Sequence, residues 1–253
     1  MPAELTGLTA VVTGASSGIG QAIALELATA GADVLVHARK STDAARAVSA
    51  EIVRLGRQSD VALLDVGEAA AHAAFVERAF AWRGSVDIWV NNAGADLLTG
   101  EPRNWPFERK LAELLRVDVT GTVSLSRLVG VRMKARGKGV ILNMGWDQAA
   151  HGMAGDSGEL FALAKGAVMA FSKSLALSLG PEVRVNCLAP GWIKTRWGEG
   201  ASDYWSERAV RESALARWGT PEDVAAVARF LASPAAGFVT GQVVPINGGW
   251  KAS

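Results

Sequence analysis

The chain has 253 residues and a formal net charge of +1, with 20% charged and 49% hydrophobic residues. That balance gives no electrostatic reason to expect nucleic acid or an anionic membrane as partner, and the length suits one α/β domain with a sizeable core. A lone cysteine, Cys187, excludes an internal disulfide and fits a reducing compartment. The start, Met1-Pro2-Ala3-Glu4-Leu5, lacks the basic and apolar regions of a signal peptide, and no apolar run approaches the ~18 residues a bilayer demands. A cytoplasmic location with no membrane contact is expected.

Short β-rich apolar runs alternate with longer helical ones, the pattern of parallel βαβ units. Strands are predicted at Thr9–Thr13, Asp33–His37, Val61–Leu64, Ile88–Asn91, Gly139–Met144, Val183–Leu188 and Val243–Ile246. Helices are predicted at Gly18–Ala30, Thr42–Leu55, Ala69–Trp82, Phe107–Met133 and Gly158–Leu179, with His72 on an exposed helix surface. Runs such as Val140-Ile141-Leu142 suit strands buried on both faces. The right-handed crossover rule then yields a single-domain, Rossmann-type doubly wound parallel sheet of about seven strands over residues 1–253, with ligands at the carboxyl ends of the strands.

Between the first strand and its helix stands Thr13-Gly14-Ala15-Ser16-Ser17-Gly18-Ile19-Gly20. Gly14 permits a tight turn, Gly18 lets backbone approach a pyrophosphate, and Gly20 lets helix pack on strand. The free N–H groups at the helix start then face an anion.

The spacing of these glycines resembles the short-chain dehydrogenase/reductase family. Further motifs carry the resemblance along essentially the whole chain: Asp65-Val66, Asn91-Asn92-Ala93-Gly94, Pro190-Gly191-Trp192-Ile193-Lys194-Thr195, Arg217 to Val224, and Thr240-Gly241-Gln242 with Asn247-Gly248-Gly249. The resemblance implies a dinucleotide held by Gly14, Ser16, Ser17, Gly18, Ile19, Gly20, Asp65, Val66, Asn91, Ala93, Gly94, Lys165, Pro190, Gly191, Ile193 and Thr195. It also implies a dimer or tetramer formed through the helices that contain Asp118 and Lys165. The end of the second strand, His37-Ala38-Arg39-Lys40, offers two cations and no acid. Arg39 and Lys40 would grip a 2′-phosphate where an acid would repel it, so NADP(H) is favoured over NAD(H).

In the resembled family an asparagine, a serine, a tyrosine and a lysine act together. Lys165 is in place, but Phe161 stands one helical turn before it, where the tyrosine belongs. A phenyl ring neither donates nor accepts a proton, and general acid catalysis contributes roughly 10²–10⁴-fold. Asp118, in Val117-Asp118-Val119-Thr120-Gly121, replaces the asparagine. Trp146-Asp147-Gln148 follows the fifth strand where the serine would come, and the interval from Trp146 to Phe161 exceeds the family's usual one. Three joint departures indicate natural divergence rather than a single inactivating change.

Asp147, enclosed beside Trp146, is a candidate replacement acid with a raised pKa. Asp156, Ser157, Glu159 and His151 are further candidates, while Asp118 can simply pair with Lys165. No metal-ligand cluster is evident. Trp192, Trp197 and Trp205 fall in or beside a substrate lid expected at about 192–215, with Trp146 opposite. Those rings suit a flat or apolar small-molecule substrate. The expected activity is NADP(H)-dependent reduction of a small apolar or aromatic carbonyl or conjugated alkene. A catalytically silent NADP(H)-binding sensor or regulatory protein and an enoyl- or dienoyl-thioester reductase are the alternatives.

Overall fold

The computed structural model describes residues 4–251. Seven parallel strands form one sheet: β1 (Thr9–Val12), β2 (Asp33–Ala38), β3 (Ser59–Leu63), β4 (Ile88–Asn91), β5 (Gly139–Met144), β6 (Val183–Pro190) and β7 (Val243–Ile246). Their spatial order is β3-β2-β1-β4-β5-β6-β7. The chain runs outward from β1 to β3 and then returns to pair β4 with β1. That reversal opens a crevice at the carboxyl ends of β1 and β4, where a doubly wound sheet binds its ligand.

Nine helices surround the sheet among the described residues: α1 (Gly18–Thr29), α2 (Thr42–Arg54), α3 (His72–Arg83), α4 (Phe107–Leu114), α5 (Thr122–Ala135), α6 (Asp156–Leu179), α7 (Arg196–Glu199), α8 (Asp203–Glu212) and α9 (Pro221–Ala232). Strand side chains alternate between two cores because successive residues point to opposite faces. Ala10, Val12, Val34, Val36, Ile88 and Val90 pack with Ile23, Leu27, Ile52 and Leu231 of α1, α2 and α9. Val11, Leu35, Trp89 and Ile141 pack with Phe75, Leu125, Val129, Met133 and Leu175 of α3, α5 and α6.

Four features depart from the sequence-based expectations. The helix predicted over Phe107–Met133 is divided: α4 passes into a π-helical segment, Leu115–Gly121, before α5 begins. The wider π turn lets Gly121 approach Val66, whose carbonyl oxygen would lie 2.6 Å from an added Cβ. Helices α8 and α9 were not predicted, although α9 carries a capping box between Thr220 and Asp223 with Pro221 in its first turn. His72 is buried rather than exposed, bonded through Nδ1 to the Ser124 hydroxyl at 2.8 Å and through Nε2 to the Val66 carbonyl at 2.7 Å. Finally, α6, with 24 residues and an 18-residue stretch of mean hydropathy 1.4, is long and apolar enough to cross a membrane. Its apolar residues include Leu160, Ala164, Val168, Leu175 and Leu179, which are buried in the domain.

Candidate active site

The crevice between β1 and β4 is laced together by backbone and side-chain bonds. The Thr13 hydroxyl donates to the Val90 carbonyl (3.2 Å) and accepts from the amides of Asn92 and Ala93 (3.0 Å each). The Asn92 amide group donates back to the carbonyls of Thr13 and Gly14, at 3.0 and 3.2 Å. Gly14 needs its positive φ of +64°, and a Cβ at Gly20 would lie 2.3 Å from the Gly14 carbonyl oxygen. No side chain caps the start of α1, so its first-turn amides remain open to an anion.

His37 supports this turn from below. The Gly14 amide donates to its Nδ1 at 3.2 Å, and Nε2–H donates to the Leu64 carbonyl at 3.0 Å. Burial pushes its pKa down to about 4, so at neutral pH it is the uncharged ring those two bonds require. Asp65 accepts from the Gly67 amide and from Arg116, at 2.9 and 3.1 Å. Burial works against its charge, yet these two partners hold its carboxyl below the usual range.

The resulting groove, about 540 Å³, is lined by Gly14, Ser16 to Gly20, Arg39, Lys40, Asp65, Val66, Ala93, Gly94, Lys165 and Thr195 among others. Arg39 is half exposed, 3.7 Å from Glu113. Asn91 departs from expectation. Its side chain is buried away from the groove and bonds to Ser126 (2.8 Å) and Asn143 (2.9 Å), and Trp89 donates to it (2.8 Å). Asn92 lines the groove in its place. Pro190, Gly191 and Ile193 line not the groove but a second cleft beside it.

That cleft, about 480 Å³, is walled by Trp146, Phe161, Trp192, Trp205, Met144 and Met153, with Leu97 and Leu98 on one side. Ser157, Phe161 and Lys165 recur every four residues along α6 and all face it. Phe161 meets Trp146 edge-on, with ring centroids 6.3 Å apart. Lys165 Nζ lies 2.8 Å from Asp118 Oδ2, and Asp118 Oδ1 accepts the Ala95 amide at 2.8 Å. The side chain of Trp197 lies outside the described residues.

Asp147 is not where a replacement acid was expected. Although Trp146 lines the cleft, the next residue begins a 3-10 turn (Asp147–Ala150) and sends its carboxyl behind Gly191. There Oδ2 accepts from Asn247 at 3.1 Å, while Oδ1 is buried with no hydrogen-bond partner. Burial raises its pKa to about 6, with Asn247 and the nearby Gln148 amide limiting the rise. The raised pKa matches the sequence reading and the placement does not. Neither Asp156, Glu159 nor His151 lines the cleft; His151 stacks on Trp250 at 4.0 Å.

A buried carboxylate, Glu212 at the end of α8, ties the segment after β6 to this floor. It accepts from Arg208 (2.6 Å), Trp192 (2.9 Å) and Gln148 (3.3 Å). Burial works against its charge, but these donors hold it below the usual carboxylate range. Sequence reasoning missed this cluster, together with Asn92, Arg103, Lys110 and Met153 of the linings. Only Asn92 carried a signal, as the neighbour of Asn91 in a motif.

A family model described as enoyl-(acyl carrier protein) reductase matches residues 14–251. The short-chain reductase protein NovJ of Streptomyces niveus is 38% identical, over 95% of this chain and 92% of its own length. The chain belongs to the short-chain dehydrogenase/reductase family. Within that family, its fold superposes with a TM-score of 0.89 on a 7α-hydroxysteroid dehydrogenase complexed with NADH and 7-oxo glycochenodeoxycholic acid, at 33% identity, covering 100% and 97% of the two chains. A short-chain dehydrogenase from Burkholderia cenocepacia in complex with NADP superposes with a TM-score of 0.86, at 33% identity, covering 97% and 98%. Membership in this family makes the chain an oxidoreductase by descent, with a nucleotide-binding Rossmann fold.

Proposed function

We propose that this chain is an NADP(H)-dependent oxidoreductase that reduces a small apolar or aromatic substrate at a carbonyl or a conjugated alkene. Phe161 stands at the position of the family's proton-donating tyrosine. One observation carries the reading: Ile19, Phe161, Lys165 and Thr195 line both the nucleotide groove and the tryptophan-walled cleft. A molecule in the cleft therefore lies against the inner end of the groove, where the reacting carbons can be brought together.

The residues present fit the dinucleotide. The uncapped first turn of α1 receives the pyrophosphate, Asp65 and Val66 flank the adenine, and Thr195 and Lys165 hold the nicotinamide end. Arg39 and Lys40 take the 2′-phosphate, and these two side chains are the ground for NADP(H) over NAD(H), since the superposed relatives include both an NADH and an NADP complex. The bound nucleotide supplies the hydride. Lys165 then opposes the negative charge that develops on the substrate. With Asp147 behind Gly191 and a hydrocarbon at Phe161, the final proton comes from water rather than from a fixed side-chain acid. Self-association as a dimer or tetramer is part of the proposal, supported by exposed Val131 on α5 and Leu163 and Leu177 on α6. A reducing cytoplasm is the expected setting for the buried thiol of Cys187.

The close Lys165–Asp118 pair favours a second reading. A lysine already held by a buried carboxylate is a weaker electrostatic catalyst, and that suits a protein which binds NADP(H) without turnover. NADPH deuterated on its transferable face, incubated with the protein and a panel of ketones, enones and enoyl thioesters, separates the two. Label on a carbonyl carbon or on an alkene β-carbon supports the oxidoreductase. Tight NADPH binding with no label transferred to any member supports the silent form.

A further inference from the structure

Apart from Ser157, Lys165 and Thr195, the polar side chains that line the cleft are two cations. Arg103, in the 3-10 turn Glu101–Asn104, and Lys110, on α4, both line it, and no Asp or Glu does among the described residues. Lys110 Nζ donates to the Arg103 carbonyl at 2.7 Å, which ties the turn to α4 and brings both residues to the same side of the cleft. Neither has a carboxylate partner among the described residues, whereas Arg116, Arg136, Arg208 and Arg217 all meet one. The other cation of the lining, Lys165, is matched by Asp118. The nearby Arg109 is turned away over the Trp105 ring, 3.7 Å from its centroid.

Two like charges on one side of a mostly apolar cleft raise the local potential there, and an anion that reaches both is attracted by both. We propose that the substrate is an anion: an apolar or aromatic body carrying a carboxylate or similar group at the end remote from the reacting carbon. Arg103 and Lys110 hold that group at the cleft mouth, and the rings of Trp146, Trp192 and Trp205 enclose the body. This deepens the proposed function, resting on the cleft as the substrate site, but it does not require turnover. The cations specify orientation as well as charge. With the anion at Arg103 and Lys110, the opposite end of the molecule points toward Phe161 and Lys165.

The test is a binding contrast on the NADP⁺-loaded protein, read by quenching of the cleft tryptophans. The probes are para-acetylbenzoate and the longer para-acetylcinnamate, each compared with its methyl ester. The acids should bind at least about tenfold more tightly than the esters, because two charge-assisted contacts are at stake, and salt should shrink the difference. Joint replacement Arg103→Ala, Lys110→Ala should abolish the preference, and Arg103→Lys alone should keep most of it. NADP⁺ affinity and the circular dichroism spectrum should be unchanged, since neither residue lines the groove. Equal affinity for acid and ester, no binding of either acid, or a preference that survives the double replacement would each overturn the proposal. Failure of hydride transfer to these ketones would count against the redox reading and leave the charge contrast fully readable.

Discussion

Lys165 Nζ and Asp118 Oδ2 stand 2.8 Å apart, joining α6 to the π-helical segment at the junction of groove and cleft. Asp118 is only 2% exposed and its second oxygen is held by the Ala95 amide, so it cannot follow a missing partner into solvent. Lys165→Met therefore leaves an uncompensated buried carboxylate and should destabilise the fold by about 3–5 kcal/mol. Lys165→Met combined with Asp118→Asn should recover most of that loss. Urea unfolding of both variants checks it, and equal stability of the single and double variants would contradict it.

Introducing a hydroxyl at Phe161 has a directional outcome. Phe161 packs on the core cluster of Leu97, Leu114, Leu160 and Ala164 and also lines the cleft one turn from Lys165, so Phe161→Tyr adds an oxygen to a ring that borders the cleft. Reduction of an aromatic ketone by NADPH should rise by about 10²-fold, toward the lower end of what a general acid contributes. Steady-state kcat/KM of the two forms is the measurement. An unchanged or lower value would mean that the Lys165–Asp118 pair blocks the added acid.

Nucleotide choice should move with two side chains. Arg39→Ala with Lys40→Ala removes both cations at the end of β2 and leaves the α1 amides intact. NADPH affinity should fall by at least about tenfold while NADH affinity stays within about twofold. Isothermal titration with both nucleotides decides it, and a parallel loss for the two would place Arg39 and Lys40 outside the 2′-phosphate site.

Asp147 makes stability depend on pH in an unusual direction. Its folded pKa, about 6, lies above the ordinary 3.8, so between these values the folded state holds the extra proton. Stability should therefore fall as pH rises from about 4 to 6 and stay reduced above that, by about 3 kcal/mol at most. Asp147→Asn removes this term. The variant should melt higher than the parent at pH 7.5, with the gap closing toward pH 4. A gap that stays constant across that range would show that Asp147 does not titrate in the folded protein.

The parts of the site built from backbone were legible in the chain. Parallel strands covered on both faces need unbroken apolar runs, and a turn crowded as at Gly14 and Gly20 admits nothing larger, so both leave marks on the sequence. Side-chain direction was legible only where periodicity was applied. Asn91 lies two residues after Trp89 on one strand, so the two share the inward face, and the motif alone hid that. Asp147 depended on a 3-10 turn that begins at that residue, and the Glu212 cluster joins partners up to 64 residues apart. The capping box of α9 was present as Thr220 and Asp223, and lay unread within a motif.

Glu212 has a consequence for what the cleft can admit. Because Trp192 donates to a carboxylate that is also held by Arg208 and Gln148, its indole is fixed on the wall of the cleft before any ligand arrives. A molecule that needs this indole to swing aside must pull it off a charged acceptor, at about 1.5–3 kcal/mol. Glu212 thus stiffens one wall of the cleft without lining it.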